Sequence, residues 1–318
     1  MKLELLPPAL IIAYARPNGV RSLIESCIKN GVIRIYVAID GPKENTSVNR
    51  QKEILNVIES FKDCDEVTII VLAHSKNLGV GVAVITAIDW FFSLENFGYI
   101  LEDDLTVDSG FFKFSKSALH LFANDQRVFM ICGTEITSSN PDSIEAIWCN
   151  YPMIWGWSSW KNRWLVMRKE LLLRKSTSYV SKTSIRDNYW AVGANRVLDG
   201  KVDTWDTPLA ASFVSNHWLS ILPPVNLVRN EGNDIDASHT SEDSLGLNLP
   251  ILNLKDQIDF FSRSNVDQVS IYNALLEKKV FKIRIRHYFL PLYGKILDKI
   301  KFKKQLSSLS ERLYLVEI

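Results

Sequence analysis

Cysteine is scarce and unpatterned in this sequence. The four residues, Cys27, Cys64, Cys132 and Cys149, form no C-x-x-C pair and no metal-ligand spacing. That leaves no zinc or dithiol motif, and buried free thiols in a reducing cytosol fit better than a disulfide framework. No apolar run approaches the ~18 residues of a membrane-spanning helix. Lys2 and Glu4, followed by Leu5-Leu6-Pro7-Pro8, give no apolar stretch of signal-peptide length. There is no P-loop, no G-x-G-x-x-G, no H-E-x-x-H and no Ser-His-Asp arrangement; His74, His120, His217 and His287 fall into no catalytic pattern. A net charge of +1 offers nothing to a polyanion, so nucleic acid is not an expected partner.

What is present is ordinary in amount and ordered in arrangement. With 318 residues, 47% of them apolar, the chain can bury one large α/β domain plus an appendage. Ala9 to Tyr14 reads as a buried strand after a double proline, and Arg16-Pro17-Asn18-Gly19 as a turn. Val20 to Lys29 has helical apolar spacing. Ile33 to Ile39 is a second strand, stopped by Asp40-Gly41-Pro42. Helices over 51–61, 81–92 and 111–122 then alternate with strands over 67–72, 99–101 and 128–132. Asp108 or Ser109 is the expected cap of the last helix. Strict alternation of this kind predicts a mainly parallel sheet covered on both faces, Rossmann-like, with ligands at the carboxyl ends of its strands. Arg16, Asp40 and Glu102-Asp103-Asp104 all follow strand ends. After residue 145 the alternation breaks down and tryptophan becomes dense, with no Gly/Ser linker before about residue 245.

Charge is unevenly spread. Residues 278–304 hold ten Lys/Arg against one acid, Asp298, which leaves the remainder near −8 (+1 less +9). That stretch also carries Phe281, Tyr288, Leu290, Tyr293 and Phe302, and Pro291 breaks any single long helix. It suits either an interfacial segment on an anionic membrane leaflet or a helix pair packed on the domain with a solvated basic face.

Several residues could carry chemistry, and each has a plainer reading. Three consecutive acids at a strand end repel one another and resist burial, a cost that a divalent ion such as Mg²⁺ or Mn²⁺ removes; the alternative is a solvated, helix-capping loop. Asp40 could accept hydrogen bonds from a base or ribose, or simply start the Asp-Gly-Pro turn. Arg16 could pair with phosphate or lie beside a turn. Asn77-Leu78-Gly79 opens a helix, where amides favour anions. Trp155-Gly156-Trp157-Ser158-Ser159-Trp160 offers either a platform for a sugar's C–H face, with Trp157 at its centre, or core packing. Asp206, beside Trp205, could be a general base or a helix cap. His239 could be a metal or phosphate ligand, or structural.

Taken in order, these segments resemble a family. Asn77-Leu78-Gly79, Ala87 to Phe92, Ile100 to Asp104 and Phe111-Phe112 are similar to bacterial GT-A glycosyltransferases related to N-acetylglucosaminyltransferase I. Trp155 to Trp160, Thr204-Trp205-Asp206, Asn226-Leu227-Val228 and Ser238-His239-Thr240 continue the resemblance, which runs from about residue 8 to 242. It implies a GT-A catalytic domain over 1–245, with a nucleotide-sugar-binding half to about 135 and an acceptor-side half over 136–245. A helical, basic extension would follow over 246–318. It implies that Asp104 contacts the metal, with His239 as a second ligand, and that Glu102 and Asp103 lie nearer the ribose or donor sugar. Arg16 and Asp40 would hold the base, and Asp206 would be the catalytic base of an inverting displacement. Two positions depart from the pattern: Val80-Gly81-Val82 carries no basic residue after Asn-Leu-Gly, and Thr207-Pro208-Leu209 replaces an aromatic followed by Gln-Trp.

The expected activity is transfer of a sugar from a nucleotide-diphosphate donor, a UDP-sugar first, to a saccharide acceptor, lipid-linked if the tail meets a membrane. Mn²⁺ or Mg²⁺ would be the cofactor, and bacterial surface polysaccharide (O-antigen or capsule) the product. The expected place is the cytoplasm, peripheral on the inner face of the cytoplasmic membrane where the tail engages it. One rival is a non-catalytic nucleotide-sugar or glycan-binding module at the membrane. Another is a nucleotidyltransferase, for which Arg16-Pro17-Asn18-Gly19 is a poor substitute for a Gly-rich basic loop.

Overall fold

The computed structural model describes residues 6–43, 45–137, 140–180, 184–232 and 249–283. In chain order the elements are β1 (Ala9–Ala13), α1 (Pro17–Lys29), β2 (Arg34–Ile39), α2 (Asn45–Glu59), β3 (Thr68–Ala73) and α3 (Val80–Leu94). Then come β4 (Phe97–Glu102), β5 (Leu105–Val107), α4 (Ser109–Leu121), β6 (Val128–Cys132), β7 (Ile147–Cys149) and β8 (Trp157–Trp160). The chain continues through α5 (Lys161–Thr177), α6 (Ile185–Leu198), α7 (Asp206–Asn216), β9 (Leu219–Leu222), β10 (Val228–Asn230) and α8 (Val266–Lys279).

Among the described residues, eight strands form one sheet in the order β3-β2-β1-β4-β8-β6-β9-β7. The first four are mutually parallel. β8 is antiparallel to both β4 and β6, and β7 is antiparallel to β9. The expected mainly parallel α/β sheet is therefore present, and the loss of alternation after residue 145 is where the antiparallel strands enter. These strands, β7 and β8, are only three and four residues long, too short to give a period.

Side-chain parity divides the core in two. Ala9, Ile11, Val37 and Leu101 face one side, under α1, α2 and α4, with Val20, Leu23, Ile24, Ile54 and Phe111. Leu10, Ile12, Ala38 and Ile100 face the other, under α3, α5, α6 and α7, with Ile88, Phe91, Trp164 and Phe213. The turn expected at residues 16–19 is the first turn of α1 instead. Pro17 occupies the start of that helix, where its missing N–H costs nothing. Asp108 caps α4 as expected, its carboxylate accepting from the Gly110 amide at 2.7 Å.

The described part of the proposed extension packs into the same body. The Trp148 indole donates to the Phe260 carbonyl (2.7 Å), and Phe260 stacks on Phe114. From α8, the Tyr272 hydroxyl contacts both carboxylate oxygens of buried Glu135 at 2.8 Å. Asn273 and Asn150 exchange two hydrogen bonds, and Tyr151 donates to Glu277. Leu276 is fully buried. Residues 249–283 thus complete the core rather than hang from it, and the rest of the basic tail, from 284, lies outside the described residues. Among the described residues no helix is long and apolar enough to cross a membrane.

Candidate active site

The sheet reverses direction at one place. β1, β2 and β3 succeed one another outward on one side, and the chain then returns through α3 to lay β4 on the other side of β1. The loops leaving β1 and β4 therefore diverge and open a crevice at the carboxyl ends, the usual ligand position in such sheets. Arg16 follows β1 and the three acids follow β4, so both border this crevice.

The alternation of the strand deals the acids to different surroundings. Glu102, last in β4, is in register with Ile12. The Asp103 amide donates to the Ile12 carbonyl, and its side chain turns to the α1 side. There Oδ2 accepts the Tyr14 amide (2.8 Å) and Oδ1 receives Arg16 Nη1 (3.4 Å). The same Arg16 nitrogen lies 3.6 Å from Asp104 Oδ2. This approach depends on Gly19, where a Cβ would stand 1.9 Å from the Asp103 carbonyl oxygen. A polar cleft of about 320 Å³ opens here, lined by Arg16, Gly19, Arg50, Asp104, Thr106 and Glu231.

Carboxylates outnumber cations in the crevice. Burial pushes Glu102 well above the usual carboxylate range, and Asp104, Asp103 and Asp206 push it further, against Arg16. Burial raises Asp103, opposed by the Tyr14 amide and Arg16. Burial, then Asp103, lifts Asp104 to about 6, against Arg16. Asp104 Oδ1 is buried with no hydrogen-bond partner. An orphaned hard oxygen among repelling carboxylates fits a divalent cation. Among the described residues, no three His, Cys, Asp or Glu side chains converge to hold a metal by themselves. Asp104 would then be one ligand, with phosphate oxygens and water completing the shell, as Mg²⁺ commonly arranges. His239 lies outside the described residues.

Asp40 and Asn77 meet, but they are committed to each other. Asp40 Oδ1 accepts the Gly41 amide (2.7 Å) and the Leu78 amide (2.9 Å). Its Oδ2 accepts Asn77 Nδ2 (2.9 Å), which also donates to the Gly41 carbonyl (2.9 Å). The turn-forming role is therefore what the geometry displays, and the pair braces the crevice wall beyond β2. The anion at the start of α3 is supplied by the chain itself. Asp203 takes the Val80 amide on Oδ2 (3.2 Å) and the Gly81 amide on Oδ1 (3.0 Å).

Trp157 does not form a platform. It is fully buried in β8 and its indole stacks on Trp205, with centroids 6.1 Å apart, so the packing reading holds there. Trp155, before the left-handed Gly156, is the partly buried tryptophan that lines a cleft. That cleft, about 410 Å³, is bounded by Met153, Trp155, Tyr189, Trp190, Phe281 and Asp206. Asp206 begins α7. Its Oδ1 takes the Thr204 hydroxyl (2.5 Å), the Thr207 amide (2.6 Å) and the Thr207 hydroxyl (3.2 Å). Among the described residues no donor reaches its Oδ2. One oxygen is locked and the other is available at an aromatic-lined opening, within electrostatic reach of Glu102.

Sequence reasoning missed Asp203 and the Tyr14 amide, and within the Trp155–Trp160 block it chose Trp157 rather than Trp155. Asp203 had one faint signal, an acid three residues before Asp206 on the same loop. Since Asp203 ties that loop to α3, Asp203→Ala should free two helix-end amides and loosen Asp206. The expected result is a loss of about 1 kcal/mol of stability, with a larger fall in turnover than in donor affinity. Thermal melts beside steady-state kinetics would check it.

No family model matches the sequence, and no curated protein matches it at significant similarity. Solved structures with a similar arrangement include the inositol-1-phosphate CTP transferase of T. maritima (TM-score 0.39, 10% identity, 69% of this chain and 85% of that one). A UDP-glucose pyrophosphorylase complexed with UDP-glucose is similar over 70% of this chain and 91% of its own (TM-score 0.37, 10% identity). The WbbM bifunctional glycosyltransferase is similar over 55% of this chain and 35% of its own (TM-score 0.33, 10% identity). These likenesses are weak, and the functional reading is built from the crevice itself.

Proposed function

We propose that this chain is an inverting, metal-dependent glycosyltransferase of the GT-A kind, moving a sugar from a nucleotide diphosphate, a UDP-sugar first, to a saccharide acceptor. The observation that carries it is the pairing of two half-sites across Glu102. On one side lie Arg16 and the unpaired Asp104 oxygen. On the other, Asp206 lines an aromatic cleft with a carboxylate oxygen that no donor reaches among the described residues. A bound Mn²⁺ or Mg²⁺ would supply charge neutralisation for the departing diphosphate.

The chain's own residues supply the rest. Aromatic walls suit the C–H faces of an acceptor sugar, and 410 Å³ lies within the usual range of small-ligand clefts. The acceptor O–H proton passes to Asp206 Oδ2 while the acceptor oxygen bonds to the anomeric carbon. The bond from that carbon to the phosphate oxygen breaks on the opposite face, and the diphosphate leaves with the electron pair, so configuration inverts. Thr204 and Thr207 hold the other carboxylate oxygen and so fix the base's direction. The resemblance of Glu102-Asp103-Asp104 and Trp205-Asp206 to GT-A motifs supports the same reading, and surface-polysaccharide assembly is the setting we infer.

A panel of UDP-, GDP- and dTDP-sugars, tested for thermal shift and slow donor hydrolysis with and without Mn²⁺, tests it. One donor should both stabilise the protein and be hydrolysed, only with the metal. Binding with no hydrolysis or transfer under any condition would point to a binding module instead.

A further inference from the structure

Helix α5 is apolar on two opposite sides. Trp164, Met167 and Leu171 point inward and are buried, the first two in the second core. Leu165, Val166, Leu172 and Leu173 point outward and are 56%, 47%, 50% and 49% exposed. Their spacing, i, i+1, i+7 and i+8, stacks them on one stripe two turns long. A single exposed leucine is unremarkable, but an aligned set calls for a cover. Val180, just past the helix, is 70% exposed as well.

The charge on this helix narrows what the cover can be. Residues 161–177 contain six Lys/Arg (161, 163, 168, 169, 174 and 175) against one acid, Glu170. Glu170 is paired with Arg174 at 2.7 Å, Arg163 is buried on backbone carbonyls, and Arg168 is paired with Asp89 at 2.8 Å. Lys169, inside the stripe, and Lys175, beside it, are exposed and have no acidic partner among the described residues. A second copy of the chain would bring the same lysines against one another. The chain's own residues 284–304 carry seven Lys/Arg and one acid, so they too have the wrong sign. An apolar stripe fringed by unpaired lysines matches an anionic bilayer surface, with leucines at the acyl boundary and ammonium groups among the headgroups.

We propose that α5 docks this protein on an anionic phospholipid surface. This does not depend on the catalytic reading. The full chain should co-sediment with vesicles of phosphatidylcholine plus phosphatidylglycerol, weakly with phosphatidylcholine alone, and less at high salt. Leu165→Gln/Leu172→Gln/Leu173→Gln and Lys169→Glu/Lys175→Glu should each weaken partitioning roughly tenfold or more. Because the substituted side chains are exposed, melting temperatures should hold, and the charge variant gives the same reading should the leucine variant fold poorly. Donor hydrolysis in solution should be unchanged in both. The proposal is overturned if folded variants sediment like the unaltered chain, or if that chain ignores anionic vesicles. It is also overturned if light scattering shows a dimer that the leucine substitutions split, which would give the stripe to a second copy.

Discussion

Asp206→Asn should leave donor binding intact and cut sugar transfer by about 10²–10⁴-fold, the usual worth of a positioned general base. The substitution is nearly isosteric. Its amide oxygen can still accept from Thr204 and Thr207, so the start of α7 should hold its shape. What changes is the other atom: an NH₂ group replaces the oxygen that no donor reaches among the described residues, and it cannot take a proton. Calorimetry with the donor and Mn²⁺ should give an unchanged Kd, while kcat collapses. Normal turnover in this variant would remove Asp206 from the mechanism, since among the described residues no other carboxylate lines the aromatic cleft.

The second large effect is expected from Asp104→Ala. Metal-dependent donor binding should disappear, as it should for the unaltered protein in chelator. The metal-free protein, in contrast, should lose little stability at neutral pH, because the variant removes a buried charge that repels its neighbours and has one oxygen, Oδ1, without a hydrogen-bond partner. Asp104 titrates near about 6 in the fold against a usual value of 3.8. A raised acid favours the folded state below the lower value, and that advantage is lost as pH climbs through the higher one. Metal-free melting temperature should therefore fall between about pH 4 and 6, by the equivalent of at most about 3 kcal/mol for this group. Asp104→Ala should flatten part of that slope, and the Mn²⁺-induced rise in melting temperature should grow over the same interval. A slope identical in the two proteins would show that Asp104 is not the group responsible.

Much of this arrangement was legible in the residues. β1, β2, β4 and β6 are mostly apolar because both their faces are covered, and β2 and β4 run into acids, Asp40 and Glu102, at their carboxyl ends. The acids and Arg16 stand out because strand ends have local signatures, whereas Asp206 takes its expected role from the family resemblance. What was hidden is what depends on partners far away in sequence. Trp157 could be stacked or exposed; burial under Trp205, 48 positions later, decided it. Asp40 looked open to a ligand because nothing local shows that the Leu78 amide folds back onto it. β5 and β10 are three residues each and exist through their mutual pairing, which puts the Glu231 amide on the Asp104 carbonyl. Polar side chains gave α8 no clear inward face, because part of what it buries is Tyr272 and Asn273, paired with Glu135 and Asn150.

That last contact has a consequence for how the protein is made. Glu135 is synthesised 137 residues before Tyr272, which bonds both of its carboxylate oxygens. At the ordinary pace of translation, about 5–20 residues per second, about 7–27 s pass before the Tyr272 hydroxyl can join the Thr137 amide and hydroxyl on that carboxylate. Both cores draw on α8, Val269 in the first and Tyr272 and Leu276 in the second, so neither is complete until that helix has left the exit tunnel. A stop codon anywhere before that helix should yield an insoluble product, however complete its crevice.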